Sequence, residues 1–447
     1  MSLYSDVIRY LFHALPVFEH SGGSAYKPGL QTICELDEFY GSPHRRYRTI
    51  HVAGTNGKGS VSHLLAAILQ GAGYKTGLFT SPHLIDFRER IRINGQMITE
   101  DEVLEFVTRS RAMFDKVQPS FFEMNTAMAF DHFARHAVDI AIIETGMGGR
   151  LDATNIIRPV MSVITNISMD HTQFLGNNLI SIATEKAGII KPGVPVVIGE
   201  SQPGPMTVFE EKASAEGCYI VFADQHARVS RSYHTGEGHV FYLEQNGKEA
   251  PLPVVIDLDG DYQQKNLITA LIALQSLRHH TGVEIASDTI IPSLAHAAQT
   301  TGLCGRWQKF CEKPFTVCDT AHNPAGWTWV RRQIDRCTYR RLHMVLGFVS
   351  DKDISGILEL MPCDAVYYFT KASITRALNE TELMKNAEEY GLKGNSYPTV
   401  TSACEAALLD AAGDDMIFIG GSTFVVAEAM INKKTYLCAR QDHILCP

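Results

Sequence analysis

The stretch that most constrains the fold runs from Thr49 to Ser60 and reads TIHVAGTNGKGS. Residues 49–52 favour a β-strand, and an apolar pattern with helical spacing begins at Val61. A glycine-rich loop between a strand and a helix brings backbone N–H groups and a helix N-terminus together around a phosphate. The stretch therefore predicts a nucleotide site, although its glycine spacing is not that of the standard phosphate loop, and three close glycines alone can also form a plain tight turn.

The residue types within this loop suit the parts of ATP. Its three glycines can adopt conformations closed to other residues and let the backbone approach the anion. The ammonium of Lys58 would lie among the β- and γ-phosphates, and the hydroxyl of Ser60 would bind Mg²⁺. The predicted ATP-binding loop comprises Gly54, Thr55, Asn56, Gly57, Lys58, Gly59 and Ser60.

Length and composition limit the class of protein. A chain of 447 residues is too long for a single hydrophobic core, so two or three domains are expected. The net charge of -9 argues against a nucleic-acid partner, because a phosphate backbone is normally met by a basic face. The chain has no apolar run of membrane-spanning length, no secretion signal and no CxxC pair among its ten cysteines. We therefore expect a cytoplasmic protein with no membrane partner.

Two near-continuous apolar runs, residues 139–145 and 160–166, are typical of parallel strands covered on both faces. Polar residues stand at or shortly after the end of each run, Glu144 for the first and Asp170-His171 for the second. Ligands of open α/β sheets bind beyond the carboxyl ends of the strands, where these residues fall. A strand that ends at Thr80 precedes Ser81, whereas alternating arginines at 88, 90 and 92 favour an exposed strand.

A change in composition near residues 300–302 predicts a domain boundary. Beyond it, strands at 315–318, 343–348, 365–369 and 416–419 alternate with helical patterns, which favours a smaller doubly wound, Rossmann-like α/β unit. We therefore divide the chain into residues 1–299, which would bind ATP, and residues 300–447.

Five motifs in order resemble those of the folylpolyglutamate synthase/dihydrofolate synthase family, within the Mur ligase superfamily. Besides the loop, they are ETGMGGRLDATN (144–155), MDHTQFLG (169–176), EKAGIIKPG (185–193) and DTAHNP (319–324). The resemblance implies an α/β, Mur-ligase-like phosphate-loop domain with a mostly parallel sheet, followed by a glutamate-ligase domain, with the active site in the cleft between them. It also implies ATP-dependent joining of L-glutamate to a carboxylate through an acyl phosphate.

The resemblance assigns roles to the metal-binding and catalytic residues. Ser60, Ser81 and Glu144 would hold a first Mg²⁺, and His171 and a carbamylated Lys186 would hold a second. Catalysis would depend on Lys58 and on the three ligands Glu144, His171 and Lys186. From the residues alone, Ser81 could start a turn, His171 could be a hydrogen-bonded loop residue, and Lys186 could be a surface lysine.

Further residues match family positions at the nucleotide and at the pterin. For ATP they are Asn266, Arg306, Asp319 and His322, and for the pterin they are Tyr26, Lys27, Pro28, Phe122, Glu123, Leu151, Asp152 and Ala153. Phe122 could stack on a flat ring, but Phe121 and Phe122 could equally be helix-packing residues. Thr320 departs from the glycine of many relatives, and residues 371–378 match only loosely.

We interpret the chain as a ligase that adds glutamate to dihydropteroate and then to folates, and we expect a monomer. Two alternatives are another ligase of the superfamily that acts in cell-wall synthesis, and a phosphate-loop switch that binds nucleotide without ligase chemistry. The first would usually have Thr after the loop lysine and lack GGRLDATN, and the second would leave Arg306, Asp319 and His322 without a role.

Overall fold

The computed structural model describes residues 3–14, 29–236, 238–245, 247–250, 252–433 and 436. The chain divides into two compact units. Unit 1 contains residues 1–258 and 262–303, and unit 2 contains residues 259–261 and 304–447. The division near residue 303 lies a few residues after the boundary that the composition predicts.

Unit 1 is built on an eight-stranded, mostly parallel sheet, as the apolar runs predict. Its spatial order is β4-β3-β2-β5-β1-β6-β7-β8. The strands are β1 (Arg48–Ala53), β2 (Thr76–Phe79), β3 (Ile91–Ile93), β4 (Gln96–Met97), β5 (Ile140–Glu144), β6 (Met161–Ile164), β7 (Val196–Ile198) and β8 (Ile220–Phe222). Parallel pairing places Val52 of β1 opposite Glu144 of β5 and opposite Val163 of β6. The strand that carries the glycine loop is thus central and buried.

Helices cover both faces of this sheet. They are α1 (Leu3–Ala14), α2 (Gln31–Phe39), α3 (Lys58–Gly71), α4 (Glu100–Val117), α5 (Phe121–Arg135), α6 (Thr172–Leu175), α7 (Leu179–Ala187), α8 (Pro205–Ala215), α9 (Ala223–His226), α10 (Gln263–Thr281), α11 (Ser287–Ala295) and α12 (Ala297–Thr301). Helix α3 packs on one face with α10, and α5 packs on the other. Thr99 and Glu102 form the capping box that their spacing predicts at the start of α4.

Unit 1 also contains a second sheet, which is antiparallel and has four strands. Strand β10 (His239–Gln245) pairs with β11 (Lys248–Glu249), β12 (Val254–Ile256) and β9 (Ala227–His234). The apolar residues Phe241 and Ile256 bury this sheet against the same core as α3.

Unit 2 is the smaller α/β unit. Its sheet has the order β13-β14-β18-β15-β16-β17. The strands are β13 (Gln308–Glu312), β14 (Phe315–Cys318), β15 (Leu342–Leu346), β16 (Val366–Phe369), β17 (Gly394–Ser396) and β18 (Met416–Gly420), and the helices are α13 (Pro324–Arg336), α14 (Ser355–Leu358), α15 (Glu380–Glu388), α16 (Val400–Asp410) and α17 (Thr423–Ile431). All neighbours are parallel except β13 and β14.

One local prediction is wrong. The alternating arginines do not form an exposed strand, because residues 87–90 are a 3₁₀ turn and both Arg90 and Arg92 are buried. Arg90 donates from Nε to His83 Nδ1 over 2.8 Å and lies over the ring of Phe121, which satisfies its charge inside the protein. In the part of the chain described here, no helix has the length and apolar character needed to cross a membrane.

Candidate functional site

The candidate site lies at the carboxyl edge of the large sheet, because four adjacent strands end there. In space these strands run β2, β5, β1 and β6. Ser81 follows β2, Glu144 ends β5, the glycine loop follows β1, and Thr165 begins the segment after β6 that leads to His171. Parallel strands that are neighbours bring their carboxyl ends together, so residues far apart in sequence become neighbours here.

Two glycines of the loop occupy positions that no other residue could take without strain. Gly54 and Gly57 have φ angles of +144° and +84°. A Cβ on Gly54 would lie 1.8 Å from Thr165 Oγ1, and one on Gly57 would lie 2.2 Å from Asn266 Oδ1. Both the backbone conformation and the close neighbours therefore require glycine. Gly57 is the N-cap of α3, so the loop ends where the helix N–H groups point outward.

The segment after β6 holds the loop in place. Asn166 accepts from the loop twice, through its carbonyl from Thr55 N at 2.9 Å and through Oδ1 from Asn56 N at 3.1 Å. Thr165 Oγ1 donates to Asn56 O at 2.6 Å, and Ser168 N donates to Thr55 Oγ1 at 3.0 Å. Thr165 and Asn166 are not among the residues predicted from the sequence, although their position directly after a buried strand is a signal that could have identified them.

A third positioning residue, Gln263, was also missed. Its Nε2 donates to Ser60 Oγ at 3.3 Å, and its Oε1 accepts from Asn266 Nδ2 at 2.8 Å. All three side chains are buried. The first turn of α10 thus fixes the hydroxyl that the sequence assigns to Mg²⁺.

Glu144 combines with Ser81 and the loop to form a set of hard oxygen donors. Its side chain is 3% exposed, and its Oε2 accepts from Ser81 N at 3.3 Å. A Cβ on Gly59 would lie 3.7 Å from the same oxygen, which puts the carboxylate against the start of α3. A buried carboxylate next to Ser81 and to the start of α3, the helix that carries Ser60, fits Mg²⁺, which prefers oxygen ligands.

Lys186 is a buried lysine beneath the loop and not a surface residue. It is 4% exposed, and its Nζ donates to the carbonyl of Gly54 at 2.8 Å. Burial and, second, the charge of Lys58 lower the pKa of Lys186 to about 7, against the opposing effect of Asp170 and Asp152. A large part of this amine is therefore neutral near pH 7.

The position of Lys186 depends on a close crossing of two backbone segments. A Cβ on Gly149 would lie 2.8 Å from Glu185 O and 2.9 Å from Lys186 O. Gly188 likewise approaches the backbone of Arg150, whose side chain pairs with Glu185 at 2.8 Å. The glycines of GMGGR and EKAG therefore let α7 pack directly on the segment after β5.

His171 lies at the N-cap of α6 with a φ of +50°, a conformation uncommon for residues other than glycine. Its backbone N–H donates to Asp170 Oδ1 at 2.9 Å, and its Nε2 lies 4.0 Å from the same oxygen. Asp170 also acts electrostatically on Lys186. The effect of Asp170 on Lys186 indicates that the motif MDH lies near this lysine.

Asp152 belongs to a buried polar chain that reaches back to the loop strand. It accepts from Met147 N at 2.9 Å and from Thr154 N at 3.0 Å, and Thr154 Oγ1 lies 2.8 Å from His51 Nε2. Burial raises the pKa of Asp152 despite these bonds, and burial, with a smaller effect of Lys191, lowers the pKa of His51 to about 3. Leu151 and Ala153 flank this aspartate.

Of the other predicted pterin residues, the structure describes Phe122 and Glu123. Phe122 lies in the first turn of α5 and is half-buried. Its ring centroid is 5.8 Å from that of Phe79, and a Cβ on Gly146 would lie 2.6 Å from the ring of Phe122. Glu123 has a structural task, because it completes the capping box of α5 with Ser120. Tyr26, Lys27 and Pro28 lie outside the described residues.

In unit 2, Asp319 organises the residues that the sequence assigns to the nucleotide. Its Oδ2 accepts from Trp307 N and its Oδ1 from Ala321 N, both at 2.8 Å. Arg306 donates to Thr320 Oγ1, and His322 Nδ1 lies 3.0 Å from Thr320 O. The predicted set Arg306, Asp319 and His322 is therefore one local cluster at the end of β14. Since both carboxylate oxygens already accept backbone bonds, Asp319 has a structural task as well.

Comparison with known proteins identifies two domain families. Residues 52–274 match the Mur ligase middle domain, and residues 305–423 match the Mur ligase glutamate ligase domain. The chain is 31% identical over 434 residues to folylpolyglutamate synthase of Lacticaseibacillus casei, covering 95% of this chain and 97% of the relative. It is 34% identical over 437 residues to a probable bifunctional folylpolyglutamate synthase/dihydropteroate synthase of Haloferax volcanii, and there it covers 95% of this chain and only 50% of the relative.

Solved structures of related proteins are similar to this chain over almost its full length. Escherichia coli FolC in complex with DHPP and ADP superposes with a TM-score of 0.82 at 29% identity, covering 99% of both chains. A bifunctional folylpolyglutamate synthase/dihydrofolate synthase with Mn, AMPPNP and L-glutamate bound has a TM-score of 0.81 at 29% identity, covering 96% of this chain and 98% of the other. These similarities confirm the predicted Mur-ligase-like fold.

Proposed function

The chain belongs to the folylpolyglutamate synthase/dihydrofolate synthase family of Mur-type ligases, and on that premise we propose the reaction that it performs. The enzyme uses ATP to add L-glutamate to dihydropteroate, and it adds further γ-linked glutamates to folates. The observation that carries the proposal is the placement of Glu144 and Lys186 against the phosphate loop, one beside Gly59 and the other on Gly54.

The chemistry requires positioning and charge neutralisation more than covalent help from the protein. The substrate carboxylate attacks the γ-phosphorus of ATP, ADP leaves, and an acyl phosphate forms. The α-amine of glutamate then attacks the acyl carbon, phosphate leaves, and the amine loses a proton. The loop N–H groups and Lys58 hold the phosphates, and Ser60, Ser81 and Glu144 would hold Mg²⁺, which supplies a Lewis acid when bound.

For Lys186 we propose carbamylation. A neutral amine attacks CO₂ and releases a proton, which converts a cation into a carboxylate. The lowered pKa supplies the neutral amine, and the nearby Lys58 favours the new negative charge. A carbamate nitrogen keeps one hydrogen, so it can retain the bond to Gly54 O. With His171, this carboxylate would offer ligands to a second Mg²⁺.

The remaining assignments stay predictions. They concern ATP binding by Asn266, Arg306, Asp319 and His322, pterin binding by Phe122, Glu123 and residues 151–153, and the functional division between the two domains. A monomeric state and a cytoplasmic location also remain predictions, as does the presence of both synthase activities in one chain.

The test is a coupled assay with ATP, Mg²⁺, L-glutamate and dihydropteroate, in which phosphate release and the glutamylated product are measured together, followed by the same assay with a folate. We expect one phosphate for each glutamate added. ATP hydrolysis that is insensitive to both acids would favour the nucleotide switch, and product formation only with a nucleotide-linked cell-wall peptide would favour the other ligases.

The proposed carbamate is tested separately with Lys186→Ala. This variant should bind ATP but lose ligation, and short carboxylates should restore part of the activity. Lys191→Ala is a matched control from the same motif, because Lys191 donates to a backbone carbonyl, that of Asn155, at 3.0 Å but not to the loop. Undiminished ligation by Lys186→Ala would refute the role of the lysine.

A further inference from the structure

A cluster of two histidines and a glutamate lies in unit 1, away from the phosphate loop. His132 is in the last turn of α5, His136 is the C-cap of the same helix, and Glu102 is in the first turn of α4. One ligand atom from each side chain lies within 4.8 Å of the other two. At about 1.5 Å per residue, His132 lies roughly 15 Å along α5 from Phe122, so the cluster is distinct from this predicted pterin residue.

The side chains are held in this arrangement by the fold. Glu102 Oε1 accepts from His136 Nε2 at 2.6 Å and lies 3.6 Å from His132 Nδ1. The other oxygen, Oε2, accepts from Thr99 N and from Thr99 Oγ1, so the capping box fixes the carboxylate. The two histidines are four residues apart on one helix and therefore project from the same face. Their ring centroids are 4.4 Å apart.

We propose that Glu102, His132 and His136 form a binding site for one Zn²⁺ ion, with the fourth position taken by water. Zn²⁺ binds imidazole nitrogen at about 2.0–2.1 Å and carboxylate oxygen at about 2.0–2.2 Å, so neighbouring ligands in a tetrahedral site are about 3.3 Å apart. The present separations of Glu102 Oε1 from His136 Nε2 and from His132 Nδ1, 2.6 and 3.6 Å, bracket that value. Two imidazoles favour zinc and related transition metals over the Mg²⁺ that serves ATP.

The cluster is accessible from solvent, and the cations near it have partners of their own. The side chain of His136 is 42% exposed, which gives an ion access from solvent. The nearby cations have their own partners, because Arg135 pairs with Glu105 at 2.9 Å and Lys75 donates to the carbonyl of His136. Bound zinc would join the first turn of α4 to the end of α5, and its expected effect is structural stabilisation of the described part of unit 1.

The test uses the full chain, stripped of metal with a chelator, and Zn²⁺ alone as the probe. Zinc stoichiometry is measured by competition with a chromophoric chelator, and the melting temperature is measured with and without zinc. We expect the variants His132→Ala and His136→Ala to lose one equivalent of zinc, or at least about tenfold in affinity, together with the zinc-dependent rise in melting temperature. Co²⁺ should give a visible absorption band that disappears in the same variants.

Two further variants keep the result interpretable. His136→Gln retains a donor for Glu102, so it should preserve the apo melting temperature while it loses zinc. His280→Ala removes a histidine from an adjacent pair at the end of α10 and should bind zinc like the unmodified protein. Equal zinc binding by all variants, or no binding at micromolar zinc, would overturn the proposal and leave the cluster an ion pair. Ligation at saturating Mg²⁺ should be unchanged in each variant, which separates this result from the proposed function.

Discussion

Replacement of Lys186 by methionine should stabilise the protein while it abolishes ligation. The pKa of Lys186 falls from its ordinary value of 10.5 to about 7. Each pKa unit corresponds to about 1.4 kcal/mol, so the buried amine costs the folded state about 5 kcal/mol at pH 7 relative to an unperturbed lysine. Methionine removes this cost but leaves the Gly54 carbonyl without its donor, which costs about 1–3 kcal/mol. The net expectation is a stabilisation of about 2–4 kcal/mol.

The stability difference between the unmodified protein and Lys186→Met should depend on pH. Between pH 7 and 10.5 the unfolded chain holds a proton on Lys186 that the folded chain has lost, so the stability of the unmodified protein rises with pH across that window. The advantage of Lys186→Met should therefore be largest at or below pH 7, and near pH 10.5 it should turn into a deficit of about 1–3 kcal/mol, because only the lost hydrogen bond then remains.

Urea unfolding at pH 7, 8.5 and 10, in buffers free of CO₂ and nucleotide, measures the difference in the free energy of unfolding. Bicarbonate must be excluded because a carbamate would replace the amine. Lys191→Met is the control, since Lys191 is only partly buried and its replacement also removes a hydrogen bond, so it should be neutral or destabilising. A less stable Lys186→Met protein at pH 7, or a difference that does not change with pH, would refute the reasoning.

Two substitutions test the contacts that position the site. Gly149→Ala would put a Cβ 2.8 Å from Glu185 O, so it should destabilise the protein by about 1–3 kcal/mol and reduce ligation. Its control is Gly413→Ala, whose Cβ would meet nothing within 4 Å, and which should change the midpoint of urea unfolding little. Asp319→Asn should lower the free energy of unfolding by about 1–3 kcal/mol in the same urea assay, because an amide has one acceptor oxygen for the two backbone donors. The exposed Asp335→Asn is the control, and equal unfolding midpoints for the two variants would contradict the assigned bonds.

The features that follow from backbone periodicity could be predicted from the sequence. Apolar runs identify buried parallel strands, and the carboxyl ends of such strands collect polar residues, which is why Glu144 could be placed at the site. The motif alone did not distinguish a buried Lys186 from an exposed one, because a tetrapeptide carries no information on what packs over it. The whole set of motifs did.

Contacts between side chains that are distant in sequence could not be predicted. Gln263 holds Ser60 across 203 residues, and no spacing rule connects the two. Arg90 was placed on an exposed strand because charged residues usually face water. Its partner His83 and the ring of Phe121 make burial tolerable, and only the fold reveals that they are neighbours.

The dependence of the glycine loop on later residues has a consequence for biosynthesis. The loop leaves the ribosome early, yet Thr165, Asn166 and Gln263, which hold it, are made much later. At roughly 5–20 residues per second, Gln263 follows Ser60 by about 10–40 seconds. A nascent chain that ends before Gln263 cannot have the complete set of contacts that hold the glycine loop. We therefore expect that it does not retain nucleotide until more than half of the enzyme has been translated.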